Sequence, residues 1–122
     1  MNLIPVPNPT NSDIKIRYLN RDVSRFSKYI IKKYTTIGTS CTIFSHCVIG
    51  EIPQDKKYAG EKSKLIIGNN TVIREFCTLN KGTEYSGKTI IGNHCLLMAY
   101  VHIAHDCLVN DKVILANGVQ LG

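Results

Sequence analysis

From Ile37 onward, aliphatic residues recur at every sixth position. Ile37, Ile43 and Ile49 open the column, then Ile67, Ile73 and Leu79, then Ile91, Leu97, Ile103, Val109, Leu115 and Leu121. The gaps from 49 to 67 and from 79 to 91 are multiples of six, so the phase survives both interruptions. Only Asp55, Glu61 and Tyr85 occupy the column with other residue types, and Gly follows it at 38, 50, 68, 92 and 122. A helix repeats at 3.6 residues and a strand at 2, so neither alone produces this spacing. A sustained hexapeptide period is the mark of a parallel β-helix, in which each unit is a short strand plus a corner. The pattern predicts an all-β domain over residues 37–122, with loops at about 51–66 and 81–89 where the column breaks.

A second phase supports the first. Cys41, Cys47, Cys77, Cys95 and Cys107 all stand four places after a column position, a phase shared by Ala59, Thr71, Thr83, Val101, Val113 and Val119. Small or β-branched residues suit a second inward position in a narrow core. The cysteines therefore read as small buried hydrophobes, not as a disulfide framework or metal cluster. Five free thiols point to a reducing compartment.

Residues 1–36 show no hexad phase and read as a non-repeat leader. Pro5, Pro7 and Pro9 favour an extended start. Leu19, Val23, Phe26 and Ile30 fall at helical spacing among Arg21, Arg25, Lys28 and Lys32, which predicts a short basic amphipathic helix. An organelle-targeting segment is an alternative reading, opposed by Asp13, Asp22 and the preference for Lys over Arg. This leader carries +5 of the net charge of +6, so the repeat region is close to neutral and does not read as a nucleic-acid surface. No apolar run reaches the roughly 18 residues of a membrane span.

The chemistry concentrates in Tyr100-Val-His-Ile-Ala-His-Asp-Cys107. An imidazole followed by a carboxylate is the usual equipment of a general base near neutral pH. On a strand His105 and Asp106 would point to opposite faces. They stand two and three places after Ile103, however, where the chain turns a corner and both can face outward. His46 and His94 share the corner phase of Asp106 without other marks of function. In the first interruption, Asp55 can accept hydrogen bonds from sugar hydroxyls and Lys57 can meet a phosphate. A zinc site needs three converging imidazoles. His102 and His105 offer two, with no third at a suitable spacing, so no metal or cofactor is expected.

The hexads, with a small residue two places before each aliphatic one, resemble the hexapeptide-repeat left-handed β-helix proteins, which implies a left-handed coil and trimeric assembly. Gln54-Asp-Lys-Lys-Tyr-Ala-Gly-Glu61, Ile73-Arg-Glu75 with Asn80-Lys-Gly-Thr83, Leu96 through Cys107, and Ile114-Leu-Ala-Asn117 narrow the resemblance. Together they resemble the UDP-N-acetylglucosamine acyltransferases that begin lipid A synthesis in Gram-negative bacteria. The resemblance implies cytoplasmic transfer of an (R)-3-hydroxyacyl chain from acyl carrier protein to the glucosamine 3-hydroxyl. By motif position His105 would be the general base and Asp106 its orienting carboxylate, while His102, Asp55, Lys57 and Gln54 would contact substrate. The family continues through further coils and a helical domain, whereas this sequence stops at Leu121-Gly122 within the repeat. The expectation is therefore an incomplete β-helix, either a working acyltransferase or a remnant that at most binds or assembles as a trimer.

Overall fold

The computed structural model describes residues 29–122, together with the backbone of three strands, Leu3–Pro5, Ile14–Ile16 and Tyr18–Asn20. Among the described residues every regular element is a strand, and these strands form three sheets around a core. Face 1 stacks Ile14–Ile16, Thr35–Ile37, Lys64–Ile67, Lys88–Ile91 and Leu108–Val109. Face 2 stacks Tyr18–Asn20, Cys41–Ile43, Val72–Ile73, Leu96–Leu97 and Ile114–Leu115, with Leu3–Pro5 added antiparallel to Tyr18–Asn20 at its edge. Face 3 stacks Ile30–Ile31, Val48–Glu51, Thr78–Asn80, His102–Ile103 and Gln120–Leu121. The chain visits faces 1, 2 and 3 in turn, and all pairings between coils are parallel. This is the predicted β-helix.

The aliphatic column residues from Ile37 to Val109 are buried, whereas Leu115 and Leu121 are partly so. In each ladder one column residue lies over another, as Ile37 over Ile67 and Leu79 over Ile103. The second phase is inward too: Cys41, Cys47, Cys77, Cys95, Thr71 and Val101 are buried and Cys107 is half-buried. It carries a donor role that periodicity does not reveal. Cys41 Sγ donates to Gly68 O at 2.9 Å, Cys47 to Arg74 O at 2.9 Å, Cys77 to Met98 O at 3.2 Å and Cys95 to Asn110 O at 3.1 Å. Thr71 Oγ1 does the same to Gly92 O at 2.7 Å. Each acceptor is the carbonyl one residue past a column position in the next coil, so a thiol or hydroxyl satisfies a corner carbonyl (a bond worth about 1 kcal/mol). Ala59 departs from this phase, because it lies exposed in the first loop.

Corners are made by residues with positive φ, three places after the column: Tyr34, Ser40, His46, Asn70, Phe76, His94, Tyr100, Asp106 and Lys112. Non-glycine residues enter this region at a cost on the order of 1 kcal/mol each, offset by the ladder bonds on either side. Gly68 has another task. A Cβ there would stand 2.4 Å from Asn93 Oδ1 and 2.8 Å from Gly92 C, so only glycine lets the next coil approach.

Three expectations need correction. Leu19 and Ile30, at the two ends of the predicted basic helix, lie in strands Tyr18–Asn20 and Ile30–Ile31. Val23 and Phe26 lie outside the described residues. The physical reason is pairing: Ile30 and Ile31 lie in register with Val48 and Ile49 on face 3. Ile31 also packs against the core six places before Ile37, so the hexad phase begins inside the region read as leader. Finally, the loops are shorter than predicted. They run over 52–63 and 81–87, because Leu65 and Thr89 are buried in strands Lys64–Ile67 and Lys88–Ile91.

Candidate active site

The loops and the histidine motif leave the coil along one edge. Residues 52–63, 81–87 and 104–107 each carry the chain from face 3 to face 1. Thr78 is in register with both Val48 and His102, and Ile90 with both Ile66 and Leu108. Three successive crossings are thereby stacked at the inter-strand spacing of about 4.8 Å. Segments up to fifty residues apart meet at one corner.

At the upper crossing, His105 Nδ1 lies 2.8 Å from Asp106 Oδ2. Asp106 has φ of 63°, and this left-handed turn brings both side chains to the same side. The carboxylate is held from below by the second loop. Thr83 N–H donates to Oδ1 at 2.9 Å, Ser86 Oγ donates to Oδ1 at 2.7 Å, and Thr83 Oγ1 donates to Oδ2. Asp106 N–H itself donates to Thr89 Oγ1 at 2.9 Å. Burial disfavours the charged carboxylate, but the bonds from Ser86, Thr83 and His105 outweigh it and hold Asp106 well below the usual carboxylate range. An ionised Asp106 can only accept, so Nδ1 of His105 carries a proton, and in the neutral ring Nε2 presents the lone pair.

That lone pair faces the first loop. His105 Nε2 stands 3.8 Å from Asp55 Oδ2, and the two line a cleft of about 450 Å³ with Lys57, Tyr58, Glu61 and Tyr85. Asp55 shapes its own loop by accepting from Lys57 N–H at 3.0 Å through Oδ1 and from Tyr58 N–H at 3.0 Å through its carbonyl. Glu61 joins the two loops: Oε1 accepts from Ala59 N–H at 2.8 Å and Oε2 from Glu84 N–H at 3.1 Å. The bond from Ala59 leads those that lower the Glu61 pKa from the usual range. Beneath the loops, buried Lys81 lies 5.2 Å from the ring centre of Tyr34 and 5.7 Å from that of Tyr58. The aromatic faces stabilise an ammonium taken out of water.

The structure thus brings Asp55, Lys57, His105 and Asp106 together, and leaves two predicted residues outside the cleft lining. His102 is half-buried on face 3, its Nδ1 2.7 Å from Thr78 Oγ1, and Gln54 is exposed on the first loop. Sequence reading missed Glu61, Thr83, Ser86 and Thr89. Glu61 had a signal, since it puts a charge at a column position. Thr83 closes the Asn80-Lys-Gly-Thr83 segment of the resemblance, but its hexad phase is that of ordinary core residues and gave no hint of a role. Among the described residues no group of three His, Cys, Asp or Glu side chains is placed to hold a metal ion.

Comparison with known proteins fits this geometry. Residues 88–122 match the family described as bacterial transferase hexapeptide (six repeats). The acyl-[acyl-carrier-protein]–UDP-N-acetylglucosamine O-acyltransferase of Verminephrobacter eiseniae is 52% identical over 93 residues, covering 75% of this chain and 36% of the relative. That of Helicobacter pylori strain Shi470 is 55% identical over 89 residues, covering 72% and 33%. Over about three quarters of its own residues this chain is similar to the UDP-N-acetylglucosamine acyltransferases. A crystal structure of a UDP-N-acetylglucosamine acyltransferase superposes with a TM-score of 0.81 at 44% identity, covering 90% of this chain and 42% of that one. The Bacteroides fragilis 9343 acyltransferase gives 0.77 at 40% identity, covering 88% and 40%. The coil is accordingly the left-handed parallel β-helix. The chain spans about a third of the length of the curated relatives it matches.

Proposed function

We propose that this chain carries the reaction corner of an O-acyltransferase, which moves an (R)-3-hydroxyacyl group from acyl carrier protein to the 3-hydroxyl of UDP-N-acetylglucosamine. The observation that carries the reading is the polarised imidazole. His105 is held through Nδ1 by an ionised Asp106, and its Nε2 opens on a cleft walled by Asp55 and Lys57.

The acceptor hydroxyl has a pKa far above neutrality and needs a positioned base to attack a thioester. Such a base contributes typically about 10²–10⁴ in rate. His105 Nε2 takes the hydroxyl proton as the sugar oxygen bonds to the acyl carbon. Asp106 stabilises the resulting imidazolium, as the carboxylate does in a Ser-His-Asp triad. When the tetrahedral intermediate collapses, the C–S bond breaks and His105 returns the proton to the departing thiolate of the carrier. Asp55 accepts from sugar hydroxyls beside the reacting one, and Lys57 on the exposed rim meets a phosphate.

His102 and Gln54 belong to the outer contacts with substrate in this reading, and a homotrimer would cover them. The solvent-facing aliphatic residues Leu108 on face 1 and Ile114 on face 2, each 66% exposed, support self-association. Five free thiols suit a cytoplasmic setting.

The test supplies purified protein with UDP-N-acetylglucosamine and (R)-3-hydroxyacyl-acyl carrier protein, with His105→Ala in parallel. Product from the native chain and none from the variant supports the assignment. A folded native chain that binds the sugar nucleotide without forming product would reject turnover and leave a binding trimer.

A further inference from the structure

Thr83 is not one of the groups that exchange a proton or meet the acceptor in the reaction above. It nevertheless supplies two of the four hydrogen bonds to the Asp106 carboxylate, one to each oxygen: N–H to Oδ1 at 2.9 Å and Oγ1–H to Oδ2. A carboxylate gripped at both oxygens by one residue cannot rotate about its terminal torsion without breaking both bonds.

The hydroxyl proton is committed. Thr83 Oγ1 accepts from Tyr85 N–H at 3.2 Å, which directs its single proton toward Asp106. Ser86 is less committed, since its one hydroxyl proton has a second acceptor, Lys88 O at 2.8 Å, besides Asp106 Oδ1 at 2.7 Å. Thr83 is itself immobilised. It is 8% exposed, its carbonyl accepts from Gly87 N–H at 2.7 Å, and the preceding Gly82 N–H donates to Lys64 O at 3.1 Å. It also departs from the rule of its phase. Thr71, at the same place in its hexad, spends its hydroxyl on a backbone carbonyl of the next coil, whereas Thr83 spends it on a side chain beside the base.

We infer that Thr83 is the positioning residue of the His105–Asp106 pair: its two-point grip sets the carboxylate plane that keeps the proton on Nδ1 and the lone pair on Nε2. The inference rests on the reading of His105 as base, and it adds that the second loop, 23 residues away in sequence, decides which imidazole nitrogen is available. Without the grip the carboxylate turns, the ring samples both neutral tautomers, and only one of them can accept the acceptor proton.

Thr83→Val keeps the shape and removes the hydroxyl. Loss of one bond to a charged group predicts a fall in kcat of about 10–100-fold. KM for UDP-N-acetylglucosamine should stay within about twofold, because binding is untouched. Thr83→Ser, which keeps both donors, should recover most of kcat.

Nitrogen-15 NMR of the imidazole, assigned by comparison with His105→Gln, reads the tautomer directly. One neutral form protonated at Nδ1 is expected in the native protein and a mixture in the valine variant. A valine variant with native kcat, or with the native tautomer, would overturn the proposal. Should Thr83→Val fail to fold, Thr83→Ala is read by the same two criteria. The NMR measurement needs no turnover, so a native chain without acyl transfer would sink the reaction and still leave Thr83 to be judged on the tautomer.

Discussion

Nε2 of His105 and Oδ2 of Asp55 stand 3.8 Å apart, across the mouth of the cleft. The separation is too long for a direct hydrogen bond and places both acceptors side by side toward the cleft, where adjacent hydroxyls can meet them. A sugar hydroxyl there could give its proton to the imidazole while a neighbouring hydroxyl donates to the carboxylate. Asp55→Ala removes one charged acceptor, which predicts a loss of about 10–100-fold in kcat/KM. The loss should fall mainly on KM for the sugar nucleotide. Steady-state kinetics check it, and an effect confined to kcat would mean that Asp55 acts on the base instead.

Asp106 makes stability depend on acid. Its folded pKa lies below its unfolded value, so the stabilisation is fully present above the ordinary aspartate range. As pH falls below about 4, the unfolded state takes up the proton first and this contribution is progressively lost. In Asp106→Asn an amide N–H₂ replaces one acceptor and faces a donor. That variant should be less stable at neutral pH by about 1–3 kcal/mol. It should also lose stability less steeply below pH 4. Urea midpoints from pH 2.5 to 7 test both statements.

Glu61 couples the loops through the amides of Ala59 and Glu84. Glu61→Ala should leave the coil intact and free both amides. Their hydrogen exchange should quicken by about tenfold if each loses one bond to a charged acceptor. Exchange in strands such as Lys88–Ile91 should not change. Uniform acceleration across the chain would show instead that Glu61 supports the whole fold.

Gly82 permits the tight second loop. A Cβ there would stand 2.3 Å from Lys88 N and 2.8 Å from Gly87 C, both backbone atoms that cannot swing aside. Gly82→Ala is expected to cost about 1–3 kcal/mol, as overpacking does. It should also loosen Thr83 next to it. Gly60→Ala is the control for loop substitution, since a Cβ at Gly60 meets nothing within 4 Å, although its φ of 84° carries a backbone cost of its own. Thermal melts of the two variants should rank Gly82→Ala as the more damaging.

Much of the fold was legible in the sequence because the β-helix is nearly one-dimensional. Each hexad makes one strand and one corner, so a column of aliphatic residues also specifies which residues stack, as Ile37, Ile67 and Ile91 do along face 1. The Asp106 corner was legible for the same reason, since corner residues recur at a fixed phase. Where the column was masked, reading failed. Ile30 looked helical because it follows Leu19, Val23 and Phe26 at a 3.6 period, yet pairing with Val48 decided its state.

By itself, then, the sequence determined the period, the core, the corners and the residue types of the His105–Asp106 pair, because these depend on spacing along one coil. Only the tertiary structure decided what surrounds that pair. The loops 52–63 and 81–87 have no period of their own, and their place follows from stacking three crossings on one edge. That stacking turns Thr83 from a core-phase residue into a ligand of Asp106 and sets Asp55 opposite Nε2. It leaves His102 on the neighbouring face. Site contacts 20 to 50 residues apart, such as Thr83 with Asp106 and Asp55 with His105, depend on inter-coil register, a property of packed strands that no single hexad contains.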